Sequence, residues 1–156
     1  PADATEPVPN SYVLGFALAA GASDAVPLAG LAAVPVIQAA MLRQIAQRFG
    51  QNWDRQAMAE FAGALGAGTL LRVASGFGVR QLVKLIPVYG QTVGAAAAAA
   101  SSFATTFAMG KAAAYYLSRR HLAVKSGEIA RVYREALAQA FAFSKQHPIE
   151  PAGKTG

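Results

Sequence analysis

The 156-residue chain contains no cysteine. Disulfides, thiolate nucleophiles and cysteine metal sites are thereby excluded. Histidine occurs only at His121 and His147, and neither stands at metal-ligand spacing from another ligand type. Acids are equally sparse. In the middle of the chain they are Asp54 and Glu60, whose spacing puts them on different faces of a helix and so makes no acid–base pair. Each reads as a helix-capping or solvated carboxylate. The glycine cluster from Gly63 to Gly68 lacks the lysine and hydroxyl of a phosphate loop, and Gly110-Lys111 is followed by alanine. Ser101 and Ser102 have no base nearby in sequence. These shortages predict a protein that is not an enzyme, with no metal site and no cofactor.

Charge is scarce too. Charged residues are 14% and hydrophobic residues 54%, against about 25% charged in an average soluble domain. Some apolar surface is expected to face another protein or lipid. The net charge is +6, concentrated between Met41 and Lys125, where Asp54 and Glu60 are the only acids. Such a segment attracts anionic lipid or an acidic protein face, or it simply keeps a greasy bundle dispersed. The basic residues are spread singly over several helices instead of forming a dense patch with stacking aromatics, which argues against nucleic acid as a partner.

What is present is alanine, glycine and helical periodicity. No strand-like alternation appears, so the predicted class is all-α: an Ala/Gly-rich helical bundle with a tightly packed helical hairpin and a C-terminal amphipathic helix. Residues 1–10 hold three prolines and two acids and are read as a flexible linker, as in a piece of a longer protein or a processed form. A single helical domain is expected over 11–147, and a disordered tail over 148–156. Ser11 can cap a first helix to about Ala22, with a turn from Gly21 to Pro27. Leu31, Val34, Ile37, Met41, Ile45 and Phe49 recur at spacings of three and four, which places them on one helix face ending at Gly50. Asn52 or Asp54 can cap a helix from about Arg55 to Val73, with Gly63, Ala67 and Leu71 as a close-approach stripe. Ser75 to Gly78 then reads as a break before a short helix, Val79 to Ile86. Pro87 to Gly90 reads as a turn. A long helix from Gln91 to Arg120 opens with Gly94 and the alanine run Ala95 to Ala100, the strongest helix formers. Ser126 can cap a last helix over 127–147, whose apolar seam includes Ile129, Tyr133, Leu137 and Ala140.

Leu85 to Gly110 carries no charge over 26 positions, longer than the roughly 20 residues that span a bilayer. Pro87 and Gly90 interrupt it, however, and the remainder is mostly Ala, Ser and Thr, which drive insertion weakly. The run therefore reads as a helix buried among others, with a cytoplasmic location peripheral to, or partly inserted in, a membrane. Tyr115-Tyr116 and Arg119-Arg120 form the densest local cluster, suited to an interface edge at the end of an apolar helix.

The chain between about residues 11 and 120 resembles the GTPase-associated domain of the YcjF-like family, found C-terminal to Era-like GTPases. The residues that carry the likeness are Val26-Pro27-Leu28-Ala29; Met41 to Gly50; Leu82-Val83-Lys84-Leu85-Ile86-Pro87-Val88-Tyr89-Gly90; and Thr106 to Ala112 followed by Tyr115-Tyr116-Leu117. The resemblance implies a helical accessory module partnered by a GTPase, either in trans or on a removed segment. It also implies membrane association. On this reading Lys84, Pro87, Gly90 and Gly94 shape a hairpin tip, Gly110 closes the small-residue helix, and Tyr115, Tyr116, Arg119 and Arg120 form an interface edge. The C-terminal amphipathic helix has no counterpart in the resemblance. A structural subunit of a larger membrane-protein or self-assembled complex, a homo- or hetero-oligomer without a GTPase, is the other reading.

Overall fold

A computed structural model describes residues 8–24, 29–83, 95–122, 124–125 and 127–149, with backbone alone at 29–32, 76–83 and 95. Every regular element among them is a helix: α1 (Asn10–Asp24), α2 (Ala29–Arg48), α3 (Arg55–Leu65), α4 (Ala67–Val83), α5 (Ala95–Ser118) and α6 (Glu128–Gln146). The expected all-α bundle is what the chain forms. The turn residues Lys84, Pro87, Gly90 and Gly94 lie outside the described residues.

The bundle is organised around α5. Alanine supplies its helical propensity and also lets neighbours come close: Ala98, Ala104, Ala108, Ala112 and Ala113 are buried. Helix α1 runs antiparallel to α5, with Asn10 bonded to Lys111 at one end and Asp24 to Ser102 at the other. The tightest packing lies between these two helices. A Cβ on Gly110 would stand 2.6 Å from Val13 Cγ1 and 2.9 Å from Met41 Sδ. A Cβ on Gly21 would stand 2.9 Å from the Ala99 carbonyl oxygen. Gly21 is therefore not a turn residue; α1 continues through it to Asp24 because the helices need a position without a side chain there.

Helix α6 covers α5 from another side. Its apolar seam docks on the bundle: Ile129, Tyr133, Ala136 and Ala140 are buried, while Arg131, Arg134, Glu135, Gln139 and Lys145 are exposed. Phe103 and Phe143 stack with centroids 5.5 Å apart. The cap lies at Gly127 (φ +81°), one residue after Ser126, and it makes no side-chain cap bond. The first and last described residues add to this core. Val8 is buried, and Ile149 reaches within 3.1 Å of where a Gly21 Cβ would be.

Helix α2 presents Val34, Met41 and Ile45 inward, as its periodicity predicts, and ends at Gly50 with φ +66°. Pro35 lies inside the helix, several residues in from its start at Ala29. Helix α3 begins at Asp54, whose Oδ1 accepts from Ala57 N at 2.8 Å. The expected single helix from Arg55 to Val73 is broken at Gly66, whose φ of +93° and ψ of 147° are closed to most side chains. Beyond it α4 runs unbroken through Ser75-Gly76-Phe77-Gly78, where a break was expected. Glycine inside a helix costs about 1 kcal/mol, which the rest of a 17-residue helix absorbs. The stripe of Gly63, Ala67 and Leu71 provides no close approach: nothing lies within 4 Å of a Gly63 Cβ, and Leu71 is 67% exposed.

Candidate functional site

The cluster at the C-terminal end of α5 divides by helical geometry. Positions four apart share a face, so Tyr116 and Arg120 point one way while Tyr115 and Arg119 point another.

Tyr116 and Arg120 turn toward α3. The Tyr116 hydroxyl donates to Glu60 Oε2, and Arg120 Nε donates to the same oxygen at 2.9 Å. Gln56 Nε2 donates to the other oxygen at 3.0 Å. Gln51 joins the assembly, accepting from Arg120 at 3.2 Å and donating to the Leu117 carbonyl at 3.1 Å. Trp53, Phe61 and Tyr116 line up beneath, with successive centroids 5.7 Å apart. The hydrogen bonds from Tyr116, Arg120 and Gln56 hold the Glu60 carboxyl down at about 2. Burial, then the bond to Glu60, pushes the Tyr116 phenol up to about 12. With its carboxylate well supplied with donors and its phenol kept protonated, the assembly is built to clamp α3 onto α5.

Tyr115 and Arg119 turn toward the start of α6. The Tyr115 hydroxyl donates to Glu128 Oε1, and Glu128 Oε2 accepts from the Lys125 backbone N–H at 3.3 Å. These bonds lower the Glu128 carboxyl, and the bond to Glu128 together with burial raises the Tyr115 phenol. The exposed Arg119 guanidinium lies over the Tyr115 ring, 4.5 Å from its centroid. Beside it opens a cleft of about 300 Å³ lined by Lys111, Tyr115, Ser118, Arg119 and Val132, among others. Lys111 Nζ is bonded to Asn10 Oδ1 at 2.6 Å. Of the predicted edge, then, Tyr115 and Arg119 line an open cleft, with the Tyr115 hydroxyl held by Glu128; Tyr116 and Arg120 are engaged with Glu60, and Gly110 is buried against Val13 and Met41.

Sequence reading missed Glu60, which is neither a cap nor merely solvated, and Asp24, which is fully buried and accepts from the Ser102 hydroxyl. No spacing in the sequence signals Glu60, because its partners Tyr116 and Arg120 come from a helix more than fifty residues away. A second, partly buried polar link joins Gln38 Nε2 to Thr106 Oγ1 at 3.0 Å. The hydroxyls of Ser102, Thr105 and Thr106 thus have protein partners, as buried polar groups require. Among the described residues no helix is long and apolar enough to cross a membrane. No group of three or more His, Cys, Asp or Glu side chains is placed among them to hold a metal ion. Neither a protein-family model, nor a curated protein, nor a solved structure matches the chain.

Proposed function

We propose that this chain is a non-catalytic helical accessory module that couples a GTPase to a membrane or a protein assembly, acting in the cytoplasm at the membrane periphery. The supporting observation is on α4. Leu70 and Leu71 are adjacent and exposed, at 40% and 67%, on a helix whose main packing is limited to α3 and α5. Two neighbouring leucines in water favour a partner that covers them. The partner's class comes from the likeness of Met41 to Gly50 and Leu82 to Gly90 to the GTPase-associated domain. Because the apolar seam of α6 is already occupied by the bundle, α4 is the better docking element.

The test is affinity purification of the intact chain from native extract, with GTP hydrolysis measured in the retained fraction. Enrichment of a GTPase that is lost with Leu70→Ser/Leu71→Ser, in a variant whose thermal melt is unchanged, supports the reading. Equal GTPase activity in both fractions, or none in either, overturns it.

A further inference from the structure

A groove of about 160 Å³ runs between α4, α5 and α6, away from the α5 cluster. We infer that it is a binding site for a small anion carrying an apolar chain, of the phosphate-monoester type, an assignment independent of the GTPase reading. Arg72 from α4 and Arg134 from α6 bring two guanidinium groups to its walls. Neither has an ion-pair partner among the described residues, in contrast to Arg120 with Glu60 and Arg131 with Glu135. Among the described residues no acidic side chain lines the groove. Two like charges on one groove, with no counter-charge among the described residues, are an unfavourable arrangement that an anion relieves. Guanidinium is also the side chain best matched to phosphate oxygens.

Hydroxyl donors complete the polar wall. Thr69 lies one helical turn before Arg72 on the same face of α4, and Ser101 faces it from α5. Both are half-buried, and neither hydroxyl donates within the described protein. Thr105, by contrast, already donates to the Ser101 carbonyl at 2.7 Å. The opposite lining is apolar, from Val73, Leu137 and Phe141. The volume of about 160 Å³ leaves room for a phosphate and the first methylenes of a chain. The cleft at Arg119 is the weaker candidate, because its cations already engage Tyr115 and Asn10.

The experiment is calorimetric titration of the full chain with octyl phosphate below its micelle concentration, alongside octanol and inorganic phosphate. Saturable one-to-one binding of octyl phosphate is expected, with inorganic phosphate weaker and octanol not saturable. Arg72→Gln and Arg134→Gln should each weaken octyl phosphate by about tenfold or more, and Arg131→Gln should leave it unchanged. Both arginines are exposed, so the variants should fold. Co-sedimentation with phosphatidylcholine vesicles containing phosphatidic acid, lost in the double variant, would support the site with a membrane lipid as the source. Octyl phosphate binding without vesicle binding would support it with a free ester as the source. Absence of octyl phosphate binding, or binding indifferent to both arginine substitutions, overturns the inference.

Discussion

Arg120 Nε lies 2.9 Å from Glu60 Oε2, across 60 residues of sequence. This pair, shared with the Tyr116 hydroxyl, ties α3 to the end of α5, and it makes stability depend on pH at both extremes. Glu60 has a folded-state pKa of about 2, lowered from 4.5. Its contribution is therefore fully present above pH 4.5 and is lost as pH falls toward 2. Urea midpoints measured across this window should fall for the native chain and fall less steeply for Glu60→Gln. Parallel curves would remove Glu60 as a cause.

Tyr116 gives the opposite sign. Its phenol titrates near 12 in the folded chain and near 10 when unfolded. The unfolded state sheds its proton first, so stability declines as pH rises from 10 to 12. Tyr116→Phe should flatten that alkaline limb and lower the midpoint at neutral pH through the lost bond to Glu60.

Two glycines should respond in opposite directions. Gly110→Ala places a methyl 2.6 Å from Val13 Cγ1, and overpacking of this kind costs typically about 1–3 kcal/mol. Gly63→Ala meets nothing within 4 Å on a regular helix and should stabilise by roughly 0.5–1 kcal/mol. Chemical denaturation of the two variants side by side gives the comparison directly.

Ser102 and Ser101 are neighbours with different surroundings. Ser102 donates to the fully buried carboxyl of Asp24, so Ser102→Ala should cost about 1–3 kcal/mol, the range for removing one partner of a buried hydrogen bond. Ser101→Ala, at a half-buried groove position, should stay within about 0.5 kcal/mol of the native chain. Equal losses would mean that the Asp24 bond carries no special weight.

Much of the scaffold was legible because helices advertise themselves by spacing. The inward faces of α2 and α6, the Asp54 cap and the Gly50 terminus follow from periodicity and capping chemistry. Glycine was the ambiguous letter. Gly66 breaks a helix, Gly76 and Gly78 sit within one, and Gly21 and Gly110 permit close contact. One residue type serves all three roles, and only the neighbours in space decide among them. The cluster of Tyr115, Tyr116, Arg119 and Arg120 was visible as composition. Its division into an engaged face and an open one depended on where Glu60 and Glu128 arrive from other helices. The groove between Arg72 and Arg134 depended on tertiary packing altogether, since one arginine comes from α4 and the other from α6.

The antiparallel pairing of α1 with α5 has a consequence for biogenesis. Their polar links span 78 and 101 residues of chain. During synthesis from the N-terminus, Val13 and Met41 must therefore wait for Gly110 to leave the ribosome before their shared contact can close. Until then the sides of α1 and α2 that pack on α5 lack the helix that covers them.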